Sequence, residues 1–460
     1  MVEFLYLLDR MYNYKPFYSF LIFFFLCFGI QLTGHSQAGF KLPLGKIKDR
    51  ITFNLVNNLV IIPVEVNGKE LSFLLDTGVN YTLLFSLYDN DSLEIKNVTP
   101  VKIRGLGEGG DIDALKSINN QFIVGKAIDK NHTVYVIYDR NINFSPRMGV
   151  NIHGVIGYEF FRDFVVKTDY DSEILTIYDP KFYKPKRCRS CETFNILFSN
   201  HKPFIRNKIT SFNKEYEVTL LIDSGASDAL WLFKEDYGIR NDPKNYFNDF
   251  LGLGLSGGVH GKRSKIDVVS IGSFSFTNVN VAYPDSLALK NLRLNDIRSG
   301  TLGSDILKRF TVIMDYGSKK MTLRKNSFFN RPFHYNMAGI VVEHDGIIPI
   351  KDVTDRSDRS IRIQQNTRST SVVSIYVNPL FTFFLAPKFV VAEVRDGSPA
   401  HLAGVLKGDE LLSINGKPFY EYKLQEIYEL FSSKSGRKIV LRINRNGVKF
   451  KKRFVLKEVL

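Results

Sequence analysis

The sequence predicts a mainly β chain in which two related lobes of roughly 140 residues each precede a smaller α+β module. Three observations carry this. The stretch FLLDTGVNYTLL, Phe73 to Leu84, returns as LLIDSGASDALWL, Leu220 to Leu232. The two copies keep their later landmarks in step, and past Asn326 the pattern stops and a different one begins. Length supports the division, since 460 residues exceed the size at which one core usually stops growing. With 38 Phe, 22 Tyr and 44% hydrophobic residues, the composition is that of a folded, β-leaning protein.

Residues 1–38 read as a targeting segment. Arg10 and Lys15 precede the apolar run Phe20 to Ile30, and the small residues Ser36 and Ala38 stand where a signal peptidase cuts. The run is shorter than the ~20 residues a membrane span needs, so cleavage after Ala38 is expected, with an uncleaved anchor as the other reading. Lobe one is assigned to residues 39–185, lobe two to 186–327 and the final module to 328–460.

Aligning Asp76 with Asp223 sets the repeat. Gly105 and Gly252 both follow at 29 residues, and Gly157 and Gly303 at 81 and 80. Phe164 and Phe310 stand seven residues after those last glycines, and Asp169-Tyr170 and Asp315-Tyr316 follow at twelve and thirteen. Unrelated tripeptides do not keep four landmarks in register. Within each unit, residues 60–76 and 202–223 read as hairpins leading to a buried strand that ends at the aspartate. The segments YEFFRDF and SDILKRF have helical spacing.

A carboxylate at the end of an apolar strand is costly to bury, so packing alone does not account for Asp76 and Asp223. Gly78 and Gly225 are expected to allow a tight turn and close approach to the other lobe, and Thr77 and Ser224 to hydrogen-bond across the pseudo-twofold axis. If the repeats face each other, the two carboxyls share one proton. Such a pair can deprotonate water for attack on a peptide carbonyl and then protonate the leaving nitrogen.

At these residues the sequence resembles the pepsin-like and retroviral-type aspartic proteases, over roughly Phe53 to Lys325. The resemblance implies a pair of acid-protease-like β-barrel lobes and catalytic aspartates at Asp76 and Asp223, with Thr77, Gly78, Ser224 and Gly225 in support. It also implies an apolar-apolar-Gly motif behind each aspartate, here Val155-Ile156-Gly157 and Thr301-Leu302-Gly303. Flaps are expected at the turns marked by Gly105 and Gly107 and by Gly252 and Gly254. Val79 and Ala226 follow the glycines where pepsin-like members tend to carry a hydroxyl. Activity is therefore expected at mildly acidic to neutral pH, with no optimum below about pH 3. The first flap also lacks the pepsin-like tyrosine.

The stretch GSPAHLAGVLKGDELLSINGK, Gly397 to Lys417, resembles a PDZ domain of the bacterial protease type. Ser398 is expected to open a short helix ended by Gly404, with a strand over Glu410 to Ile414, a tight turn at Asn415-Gly416 and a second helix over Lys423 to Ser432. The resemblance implies a carboxylate loop at Met337, Ala338, Gly339 and Ile340, and a pocket lined by Ile340, Val342, Leu424 and Ile427. Its ligand would be a peptide with a free C-terminus, added as a strand. An insert over about 351–387 contains the apolar stretch Ser371 to Phe389, which either covers the module or touches a membrane.

The expected function is a secreted or periplasmic endopeptidase that needs no cofactor and no metal, acts on peptides or unfolded proteins and works as a monomer. The other reading is a catalytically silent peptide-binding scaffold of the envelope. A net charge of +15 is spread along the chain, which favours contact with an anionic membrane surface over nucleic-acid binding. The eight histidines form no ligand cluster in sequence. Cys188 and Cys191 are expected to form a local disulfide in an oxidising compartment.

Overall fold

The computed structural model describes residues 39–85, 93–139, 142–234, 246–290, 298–353 and 381–460. The expected signal segment and the middle of the insert, 354–380, lie outside the described residues.

Each lobe is built on an eight-stranded sheet, and the two sheets have the same order. In lobe one it runs Asn54–Val56, Leu59–Val66, Lys69–Leu75, Gly154–Ile156, Thr82–Leu84, Ala127–Ile137, Ile112–Val124, Val98–Ile103. In lobe two it runs Leu197–Ser199, Lys202–Ser211, Lys214–Ile222, Gly300–Leu302, Leu230–Leu232, Phe274–Pro284, Gly257–Ile271, Phe247–Gly254. Both sheets curl far enough for a second pairing, of Leu59–Val66 with Ile112–Val124 and of Lys202–Ser211 with Gly257–Ile271. The hydrophobic lead-ins explain the central strands. Phe73 and Leu75 bury one face of the lobe-one strand, with Leu74 half-buried on the other, and Leu220, Leu221 and Ile222 bury both faces of its counterpart. Each aspartate strand pairs in parallel with its apolar-apolar-Gly segment, Phe73 with Gly154 and Leu220 with Gly300. The short helices Tyr158–Asp163 and Ser304–Leu307 follow directly.

A third sheet joins the lobes, which repeat spacing alone did not reveal. Lys48–Thr52, Ile174–Tyr178 and Val165–Asp169 come from lobe one, and Phe310–Asp315, Lys320–Lys325 and Cys191–Asn195 from lobe two. The seam is the antiparallel pair Val165–Asp169 with Phe310–Asp315, so the two Asp-Tyr landmarks end the seam strands. Cys191 opens the outermost strand of this sheet, so the segment between the lobes takes part in it. One apolar core runs through both lobes and the shared sheet. Fully buried rings in it, such as Phe73, Phe122, Phe160 and Phe310, each contribute about 2–3 kcal/mol by removal from water.

The C-terminal module has its own core around Ile340, Phe389, Leu411, Ile427 and Leu441. Its sheet runs Ile340–Val353, Phe381–Val394, Glu410–Ile414, Lys438–Arg445, Val448–Val455. Ser398 caps the helix Pro399–Leu402 by accepting from His401 N, and Gly404 takes the left-handed φ of 76° after it. Asn415 and Gly416 both have positive φ, as a tight hairpin turn requires. The helix Leu424–Phe431 buries Leu424, Ile427 and Phe431 on one side. Ile340–Val353 and Phe381–Val394 pair with two register shifts, so the described ends of the expected insert, 351–353 and 381–387, form the arms of a hairpin. The basic stretch Lys449 to Phe454 lies on an edge strand, where charge blocks pairing with other chains.

Candidate active site

Asp76 and Asp223 end equivalent strands and are held by equivalent bonds. Asp76 N donates to Ile156 O at 2.9 Å, and Asp223 N donates to Leu302 O at 3.0 Å. The carboxyls face each other within hydrogen-bonding reach. Gly78 N donates to Asp76 Oδ1 at 2.6 Å, and Gly225 N donates to Asp223 Oδ1 at 3.0 Å.

Thr77 and Ser224 cross the axis in a reciprocal set. Thr77 N donates to Ser224 Oγ and Ser224 N to Thr77 Oγ1, each at 3.0 Å. Thr77 Oγ1 donates to Ile222 O at 2.7 Å, and Ser224 Oγ donates to Leu75 O at 2.9 Å. Each hydroxyl thus uses its one proton on the other lobe's strand and accepts from the other lobe's amide, which locks the relative position of the aspartates.

Gly78 and Gly225 lie in turns and allow the expected close approach between lobes. Neither Gly78 nor Gly225 has a positive φ. What they supply is space: a Cβ on Gly78 would lie 2.8 Å from the Asp223 carboxyl, and one on Gly225 would lie 2.2 Å from Asp76 Oδ2. Gly157 and Gly303 likewise leave room for the carbonyls of Asp76 and Asp228.

Burial raises the Asp76 carboxyl well above the ordinary carboxylate range, and the charge and hydrogen bond of Asp223 push the same way. The Gly78 amide and the Lys202 ammonium oppose this. Lys202 is itself lowered, first by burial and then by Arg298, while Asp223 and Asp76 favour its charge. Burial brings the Arg298 guanidinium down to about 10, against the attraction of Asp223. Arg298 is fixed by bonds to Thr301 Oγ1 (2.7 Å) and Gly300 O (3.3 Å), and lies 4.9 Å from the Phe233 ring centroid. Tyr316 packs against Phe161 and Phe198, and its buried hydroxyl has no hydrogen-bond partner among the described residues. Motif reading missed Lys202, Arg298 and Tyr316 as neighbours of the dyad. For Tyr316 a signal existed in the repeated Asp-Tyr landmark; for the two cations none did, because Leu59 and Ile152 hold the corresponding places in lobe one.

The two glycine turns meet. Ser256 N donates to Leu106 O at 2.9 Å, Gly109 N to Ser256 O at 2.6 Å, and Gly105 N to Ser256 Oγ at 3.1 Å. The Ser256 hydroxyl donates to Gly110 O, and His260 Nδ1 lies 3.1 Å from Glu108 Oε1. A Cβ on Gly254 would strike Leu106 O, and one on Gly107 would strike the Ser256 backbone. Gly252, with φ of 156°, adjoins a register shift in its strand. Ser256, at the centre of this contact, went unnoticed in the sequence.

In the C-terminal module, Met337, Ala338, Ile340, Val342, Leu424 and Ile427 are buried. Ala338 N and Gly339 N both donate to Asn336 Oδ1, at 3.0 and 2.9 Å. Asn336 Nδ2 donates to Ile340 O at 2.8 Å, and Tyr428 Oη donates to Val342 O at 2.7 Å. The backbone groups expected to receive a peptide are thus bonded within the chain. Cys188 and Cys191 form a disulfide.

Residues 62–160 match the family model described as aspartyl protease, and residues 390–445 match the one described as PDZ domain. The first match includes Asp76 and ends before Asp223, so the second aspartate is placed by the repeat and the geometry. Among curated proteins none matches. The crystal structure of an aspartic proteinase from Irpex lacteus is similar over 62% of this chain and 99% of its own, at 12% identity and a TM-score of 0.39. The chain joins an aspartyl-protease fold to a C-terminal PDZ domain.

Proposed function

We propose that this chain is an exported aspartic endopeptidase whose PDZ domain takes peptide substrates or regulators by a free C-terminus. The observation that carries the reading is the facing pair Asp76 and Asp223, with burial and its partner's charge raising the Asp76 carboxyl well above the ordinary carboxylate range. With one proton shared by the pair, one carboxylate takes a proton from a water lying between the carboxyls as the water attacks the peptide carbonyl. The other carboxyl donates the shared proton to the carbonyl oxygen, and the resulting tetrahedral species collapses as the dyad returns a proton to the leaving nitrogen. The Thr77 and Ser224 bonds keep the two carboxyls at fixed separation through the cycle.

Export is part of the proposal. The Cys188–Cys191 disulfide supports an oxidising compartment, and N-terminal sequencing of protein from envelope or secreted fractions should begin at Gly39. One chain supplies both halves of the dyad, which supports action as a monomer. The decisive test is cleavage of casein by residues 39–460 between pH 3 and 8, beside Asp223→Asn. Cleavage lost in the variant supports the dyad mechanism. Absence of cleavage by the folded unsubstituted protein, both alone and with a pool of peptides bearing free C-terminal carboxylates, favours the peptide-binding scaffold, and cleavage only with the pool marks a latent enzyme.

A further inference from the structure

The PDZ domain is fastened to the cleft through two arginines. Arg147, on the lobe-one helix Ser145–Met148, pairs with Glu343 at 3.1 Å and Glu393 at 3.3 Å, on the first two strands of the PDZ sheet. The same guanidinium lies 4.4 Å from the ring centroid of Phe250, on the strand Phe247–Gly254 that forms the lobe-two flap hairpin. Phe250 meets His260, which pairs with Glu108 of the other flap turn. Arg395 of the PDZ domain covers Phe247 at 4.6 Å, at the start of that flap strand, and donates to Asn336 O at 3.1 Å.

The peptide groove is tied into the same contact. The helix Leu424–Phe431 runs antiparallel to the strand Ile340–Val353: Phe431 O accepts from Met337 N, Tyr428 reaches Val342 O, and Leu424 lies toward His344. Gly149, at the end of the Arg147 helix, sits at this last position. A Cβ there would lie 2.7 Å from Leu424 and 3.6 Å from His344. Asn336 and Tyr428 therefore occupy the near and middle parts of the groove edge, and lobe one closes its far end. A strand added along Ile340 to His344 must displace all of these.

We propose that the PDZ domain clamps the lobe-two flap through Arg147 and Arg395, and that an extended peptide with a free C-terminal carboxylate releases the clamp by entering the groove. Its effect on turnover rests on the peptidase reading; the clamp itself does not.

The test is amide hydrogen exchange on residues 39–460. In Arg147→Ala/Arg395→Ala, exchange over 247–254 and 105–110 should rise roughly tenfold, while 202–222 stays unchanged. Arg147→Lys keeps the charge but loses the planar fork and should fall between. A pool of heptapeptides randomised at the last three positions, with free carboxylates, should accelerate the same segments in the unsubstituted protein, and the amidated pool should not. Unchanged flap exchange in the double variant overturns the clamp, and equal responses to the two pools overturn release by a carboxylate. Exchange needs no turnover, so a protein whose flaps respond to the free pool but which does not cleave casein with that pool present refutes the peptidase reading and leaves the clamp standing.

Discussion

Replacing Gly225 with alanine tests the dyad geometry most directly. The added Cβ would lie 2.2 Å from Asp76 Oδ2 and 2.3 Å from Asp76 Cγ, where ordinary contact begins near 3.4 Å. The Asp76 carboxyl must therefore retreat by about 1 Å, and displacement on that scale costs roughly a hundredfold in rate for a reaction that depends on orientation. Gly78→Ala is the internal control, since its Cβ would lie 2.8 Å from Asp223, about half the intrusion. Neither glycine has a positive φ, so alanine adds no backbone strain and both variants should fold. With a quenched peptide substrate, kcat should fall roughly a hundredfold for Gly225→Ala, less for Gly78→Ala, and KM should move little in either. Thermal unfolding of both variants checks that they are intact. An alanine at 225 that keeps kcat within threefold, or a larger loss at 78 than at 225, would refute the close-approach argument.

Other expectations follow from the same neighbourhood. Lys202 opposes the upward shift of Asp76, so Lys202→Met should move the alkaline limb of the kcat/KM profile to higher pH. Because the folded state raises the Asp76 pKa, the stability contributed by this group is present below its unfolded value and lost as pH rises through the folded one. Asp76→Asn should therefore unfold at higher urea than the unsubstituted protein at pH 7, with the gap closing below about pH 4. Arg309 is 1% exposed, lies 3.6 Å from the Phe333 ring centroid and donates to the carbonyls of Asp305 and Arg331. Arg309→Met should cost about 3–5 kcal/mol in urea unfolding by leaving buried carbonyls without donors. Reduction of Cys188–Cys191, which closes a loop of sequence separation 3, should cost no more than about 2 kcal/mol.

Much of this architecture is written in local pattern. The doubled Asp-Thr/Ser-Gly, the apolar strands leading to it and the glycines at matched distances place Asp76 and Asp223 at equivalent points, because strand periodicity and turn chemistry act over a few residues. The same holds for Ser398, Gly404 and the Asn415-Gly416 turn, each of which does in the fold what its residue type does locally. Contacts between distant side chains leave no such trace. The six-stranded sheet under both lobes depends on Val165–Asp169 meeting Phe310–Asp315, and the cations at Lys202 and Arg298 break the symmetry the repeat suggests. Gly225 reads in sequence as a residue of a turn and of close approach, but that the group it clears is a carboxylate 149 positions earlier is set by the packing of the lobes. Arg147 and Arg395 look like ordinary surface charges along the chain, and become joints between three parts of the molecule only when packing brings Phe250, Glu343 and Phe247 to them. Periodicity reports which face of an element is buried; what lies against that face is set by the docking of whole lobes, where no local rule applies.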